Sequence, residues 1–132
     1  MRKRFFRSEK GQALVEFALC LPILLALLCG IIDFGWIYYN QITINNAARE
    51  GARYAAIYYI PESREWHSRS IEIIESSMVG VTADAITVSD PNNAQITAHV
   101  TTEAKILTGF TSTILGKNSV TLHGECTMRV EN

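Results

Sequence analysis

The chain has 132 residues, with 12 Lys and Arg against 13 Asp and Glu, which is enough polypeptide for one small domain. No basic patch interleaved with aromatics occurs beyond the first 11 residues, so nothing points to nucleic acid as a partner. The 3 cysteines are too few and too widely spaced for a disulfide framework. Cys20 and Cys29 would lie on opposite faces of a helix, so they neither pair nor share a metal; Cys126 is remote from both. They read as small buried hydrophobes.

Residues 1–11 carry Arg2, Lys3, Arg4, Arg7 and Lys10 against Glu9 alone. Without them, 7 basic residues face 12 acidic ones. Basic charge concentrated just before an apolar run is a topology signal that holds the N-terminus in the cytoplasm. The run itself, Phe17–Ile32, is uncharged. As a helix it covers about 24 Å, short of a hydrocarbon core of about 30 Å. A span over residues 12–37 crosses the bilayer, with Glu16 and Asp33 near its edges. Asp33 is expected to be a solvated boundary residue. Trp36, Tyr38 and Tyr39 fall at the far interface, where amphipathic rings are favoured. Pro22 is tolerated inside such a helix and predicts a kink near Ala18. A cleaved secretory signal is disfavoured, because "LALLCGII" places Leu28 where a small residue is required; the same Leu28 disqualifies Cys29 as a lipidated cysteine.

Residues 38–132 then form the exported domain. Helical character continues through "NQITINNAAREGARYAAIYY", where Ile37, Ile44, Ala48, Gly51, Ala55 and Tyr58 make one stripe. Its centre, Ala48, Gly51, Ala52 and Ala55, is small enough for another backbone to approach closely. That backbone belongs either to another subunit or to the chain's own sheet. Glu50 and Arg53 are spaced to pair, and Pro61 ends the helix. A second helix is predicted over residues 62–79, with His67, Ile71, Ile74 and Met78 as its apolar stripe, Trp66 beside it and Gly80 as its stop.

The period then changes to two. "AITVS" (85–89) alternates, "DPNN" (90–93) is a turn signal, and "AQITAHVTTEA" (94–104) turns Ile96, Ala98 and Val100 to one face. The clearest strand is "SVTLHGECTMRVE", in which Val120, Leu122, Gly124, Cys126, Met128 and Val130 alternate with polar residues. Between the last two strands, a short helix is expected through Leu107, Phe110 and Ile114. The predicted fold class is α+β. One long N-terminal helix, half of it in lipid, packs on a small domain of about three antiparallel strands and one or two short helices. No internal repeat is visible.

Catalytic chemistry finds no support. There is no Gly-rich phosphate loop and no serine in a nucleophile motif. His99 and His123 both point outward on predicted strands, but no third ligand has suitable spacing, so neither a metal nor another cofactor is implied. Two function classes remain: a structural assembly subunit, or an unprocessed single-pass membrane protein whose extracytoplasmic domain binds a ligand or partner.

The residues that separate them are at the start. A basic leader ending in Gly11, then "QALVEFAL" and an apolar helix, resembles the class III signal of type IV pilins and pseudopilins. With "NAAREGARYAA" (46–56) and the closing "CTMRVE" (126–131), the chain resembles the TadE-like branch, minor pseudopilins of the tight-adherence (Flp) pilus. The resemblance implies a pilin-like fold and cleavage by a prepilin peptidase between Gly11 and Gln12. It implies a role for Glu16, the fifth residue after that cut, in pairing with an N-terminal amine during assembly. It also implies other pilins and pseudopilins, the inner-membrane assembly platform and the lipid bilayer as partners. Major Flp pilins are little more than a helix, whereas about seventy residues follow Tyr59 here, which fits a minor subunit. Gly11 carries no side chain, so an extended chain can enter a tight protease site there. Cleavage creates an ammonium on Gln12, and a carboxylate in lipid gains from such a partner.

Overall fold

A computed structural model describes residues 9–89, 91 and 94–130. The basic residues Arg2, Lys3, Arg4 and Arg7, and Asp90, Asn92 and Asn93 of the expected turn, lie outside the described residues. The first element is helix α1, Glu9–Tyr58, 50 residues long. At 1.5 Å per residue it is about 75 Å in length. Long-chain Leu and Ile with Ala sustain it, and it runs through Pro22. It stops at Tyr58, three residues before Pro61. Helix α2, Glu65–Ser77, follows. The backbone N–H of Glu65 bonds the Ser63 hydroxyl at 3.3 Å. The chain leaves this helix through Gly80 at φ +73°, a conformation that glycine adopts without steric cost.

Strands β1 (Ala85–Val88), β2 (Gln95–Lys105) and β3 (Ser119–Arg129) form one antiparallel sheet in the order β1-β2-β3. Helix α3, Gly109–Leu115, sits in the connection between β2 and β3. The register pairs Ile86 with Val100, Ala98 with Cys126, and Val100 with Gly124. On β2, every second residue from Ile96 to Ala104 is buried. On β3, Leu122 and Gly124 are buried and Val120, Cys126 and Met128 half-buried, alternating with exposed residues. The period-two expectation therefore holds on both long strands.

Both helices cover the same face of this sheet. The core joins Ile44, Ala47, Ala48, Ala52 and Ala55 of α1 to Trp66, Ile74 and Met78 of α2 and to the inward residues of the strands. Two glycines set how closely these layers approach. A Cβ on Gly51 would lie 2.3 Å from Cγ1 of Ile74, so α1 and α2 cross there in near-backbone contact. A Cβ on Gly124 would lie 2.9 Å from the carbonyl oxygen of Ile44, so β3 meets the backbone of α1 directly. The face α2 buries is centred on Trp66, Ser70 and Ile74 rather than on His67 and Ile71, which are half-buried. Ser70 is accommodated because its hydroxyl donates to the Trp66 carbonyl at 2.6 Å, and its small side chain leaves room for α1.

Candidate functional site

The first half of α1 is a bare apolar rod. Every residue from Gly11 to Leu25 is exposed, including Leu14, Phe17, Leu19, Ile23 and Leu24. This is the one helix among the described residues long and apolar enough to cross a membrane, which is compatible with a membrane anchor. Gly11 and Gln12 lie in its opening turns. Glycine within a helix costs about 1 kcal/mol relative to alanine, so this turn unwinds more readily than its neighbours. Glu16 is one turn further on, and the Gln12 side-chain amide donates to its Oε1 at 3.1 Å. The i, i+4 spacing brings Gln12 and Glu16 onto one face.

The small-residue stripe lies in the second half of the helix. Ala48, Gly51, Ala52 and Ala55 are buried within the chain itself, between α2 and the sheet. Tyr58, at the end of the expected stripe, is exposed and instead stacks beside Tyr54 with ring centroids 4.6 Å apart. Glu50 and Arg53 are both exposed and, with Tyr54, Ile57, Tyr58 and Ile73, line a shallow depression on the outer surface.

Between the two halves is Asp33, and here the sequence expectation is corrected. Asp33 is only 2% exposed rather than a solvated boundary residue. Its Oδ1 accepts the backbone N–H groups of Leu107 and Thr108, each at 2.9 Å. Its Oδ2 accepts the Thr108 hydroxyl, which in turn lies 3.0 Å from the Thr111 hydroxyl. A carboxylate buried this way needs donors, and the start of the α3 loop supplies them from 74 residues further along the chain. The sequence signal was weak: one acid at the end of an apolar run, with no hint of its partner. The local sequence does hold the donor, because Thr108 precedes α3 in the extended conformation typical of a helix cap.

The aromatics beyond Asp33 are divided. Tyr38 is exposed and stacks on Phe34 at 6.1 Å, while Trp36 is half-buried and stacks on Tyr39 at 5.9 Å. The Tyr39 hydroxyl donates to the Val79 carbonyl at 2.9 Å, tying the α2 exit to α1. His99 and His123 occupy the outer face of the sheet, as expected from the alternation. Their partners are cross-strand neighbours: His99 Nδ1 is 3.7 Å from Glu125, and His123 Nδ1 is 3.3 Å from the Thr101 hydroxyl. Among the described residues, no group of three or more His, Cys, Asp or Glu is gathered as for a metal. Cys126 is half-buried against the core; Cys20 is exposed on the apolar rod and Cys29 half-buried, so burial as small hydrophobes does not extend to Cys20.

Residues 11–53 match the model of a protein family described as TadE-like protein. The matched segment begins at Gly11 and ends inside the small-residue stripe, so it covers the rod, Glu16 and Asp33. The match is consistent with a TadE-like protein of the tight-adherence system. No curated protein and no solved structure matches the chain.

Proposed function

From the premise of a TadE-like segment over residues 11–53, we propose that the chain is a minor pseudopilin of a tight-adherence (Flp) pilus. In this reading it is a structural subunit matured by a prepilin peptidase. Residues 1–11 are the cytoplasmic leader, residues 12–37 hold the subunit in the bilayer, and the α+β domain is extracytoplasmic. The observation that carries the reading is the arrangement at the head of α1. A glycine-marked turn opens an exposed apolar rod, and the single acid in the first half of that rod lies within hydrogen-bond reach of Gln12. Cutting after Gly11 would put an ammonium on the same helix face as Glu16. A lone carboxylate costs about 2.5–3.5 kcal/mol at the bilayer centre and less near its edge, and an amine partner offsets that cost. The amine is that of the same chain or that of a neighbour in a staggered stack. In the second case Glu16 sets the axial register between subunits.

Partners under this reading are the peptidase, other pilins and pseudopilins, and the inner-membrane assembly platform. The stripe from Ala48 to Ala55 is already occupied inside the chain, so contacts between subunits fall to the rod. The test is N-terminal sequencing of membrane-extracted protein after co-expression with a prepilin peptidase. The expected first residue is Gln12. Gly11→Leu, which adds bulk at the cut, is expected to retain Met1. Wild-type protein that begins at Met1 or near residue 31 under these conditions overturns the processing step. Glu16→Gln keeps the side-chain shape and removes its charge. The variant is expected to be cleaved and inserted but not recruited into the pilus complex; recruitment equal to the parent's would reduce Glu16 to an acid favoured by the helix dipole at the first turn.

A further inference from the structure

α3 is an apolar helix with nothing over it. None of its residues is buried. Leu107, Phe110, Ile114 and Leu115 are 57%, 46%, 68% and 58% exposed. Its hydroxyls, by contrast, are all bonded within the chain. Ser112 and Thr113 donate to the Gly109 carbonyl at 3.0 and 2.7 Å, and Thr108 and Thr111 join the Asp33 network. The helix is therefore apolar outside and satisfied inside, which is the balance a lipid-facing element needs.

Its place on the molecule gives the direction. Asp33 fixes the start of α3 against the last turns of the apolar rod. On the same side of α1, one and two turns back, Ala26, Cys29 and Gly30 are half-buried, while Leu27, Leu28, Ile31 and Ile32 are exposed. α3 is joined to α1 at Asp33, the residue that follows Ile31 and Ile32 of the apolar rod. The loop is clipped at its base by the Ile106 N–H donating to the Asn118 carbonyl at 2.9 Å. Lys105 and Lys117 flank it and are exposed, suited to lipid phosphates on either side.

We propose that α3 is a membrane foot: Leu107, Phe110, Ile114 and Leu115 enter the outer leaflet at the boundary of headgroups and acyl chains, continuous with the lipid-facing surface of α1. This rests on the reading of α1 as a bilayer span. The foot fixes the height and rotation of the domain over the membrane, because the domain then meets lipid at two points instead of one. Asp33 becomes intelligible as the joint between them, a charge at membrane depth with every oxygen engaged by the foot.

The test uses the full chain with Cys20, Cys29 and Cys126 replaced by alanine. Single cysteines are introduced as Ile23→Cys, Phe110→Cys, Ile114→Cys or Glu62→Cys and carry an environment-sensitive fluorophore. The chain is reconstituted in phosphatidylcholine–phosphatidylglycerol vesicles with spin-labelled lipids, and circular dichroism matching the parent's establishes that each variant is folded. Ile23→Cys is expected to be quenched best by a label deep in the acyl chain. Phe110→Cys and Ile114→Cys are expected to be quenched best by a shallow label, several-fold above Glu62→Cys. Quenching at Phe110 and Ile114 no greater than at Glu62, with Ile23 still quenched, overturns the foot and leaves the span intact. Loss of quenching at Ile23 overturns the span itself. Shielding of Phe110 that appears only at high protein density assigns the face to a second copy and overturns the lipid assignment.

Discussion

The two halves of α1 are both helical and both largely apolar, yet they are built from opposite kinds of side chain. From Leu14 to Ile32 most residues are large and exposed, with Ala26, Cys29 and Gly30 half-buried; from Ile44 to Ala56 the buried positions are mostly alanine with one glycine. Large side chains hold neighbouring backbones at a distance and suit a fluid surround. Small ones forfeit area but admit another backbone, as Gly51 admits Ile74 and Gly124 admits Ile44. Side-chain volume, not hydrophobicity, marks where the rod ends and the domain begins, and Asp33 stands near the change.

The strongest way to break this distinction is to add volume where backbones touch. In Gly124→Val the new Cβ would meet the carbonyl oxygen and carbon of Ile44 at 2.9 and 3.0 Å. Backbone in mid-helix cannot rotate aside, so α1 must lift from the sheet. The expected destabilisation is about 3 kcal/mol or more, at the upper end of overpacking effects. Hydrogen exchange of the β2 and β3 amides, in the full chain held in bicelles, reads it. A change below about 1 kcal/mol would mean that the helix yields easily and close approach is not what binds the halves.

A smaller effect is expected at the joint. Asp33→Asn preserves shape but turns charge-assisted bonds into neutral ones and offers one accepting oxygen in place of two. Bonds to charged groups contribute about 1.5–3 kcal/mol against about 1 for neutral pairs. The loss is therefore expected at about 1–2 kcal/mol, seen as roughly tenfold faster exchange at Leu107 and Thr108. The β2 amides should be unchanged. Equal acceleration in β2 would make Asp33 a support of the whole domain and not of α3.

Much of this architecture was legible because it rests on local periodicity. Val120–Met128 and Ile96–Ala104 alternate so regularly that the inner face of the sheet could be read residue by residue. The face of α2 was read one position off, because Ile71 is apolar and Ser70, one position before it, is polar. The structure resolves this through a bond from Ser70 to Trp66, and His67 bonds the Val88 carbonyl at 3.1 Å at the edge of the core. The partner of Asp33 was not legible, since it lies 74 and 75 residues away and two of its three donors are backbone groups that no sequence pattern displays. The exposure of Phe110 and Ile114 was missed for a related reason: helical spacing of apolar residues specifies a common face but not what covers it.

The smallest expected effect is the most direct check on what surrounds the rod. Leu27 is exposed and Ile44 fully buried, though both are large aliphatic residues on the same helix. Truncating a buried aliphatic leaves a cavity whose walls relax only in part, so Ile44→Ala is expected to cost the domain about 2–5 kcal/mol. Leu27→Ala removes as much side chain but leaves no protein-lined void, because acyl chains flow into the space. It changes the insertion preference of the span by well under 1 kcal/mol. The stability of the α+β domain in bicelles, followed by exchange of the β2 amides, should shift by less than about 0.5 kcal/mol. An Ile44-sized loss at Leu27 would require a rigid protein surface against the rod. The first half of α1 would then be a packed helix like the second, and the contrast between them would be one of composition alone.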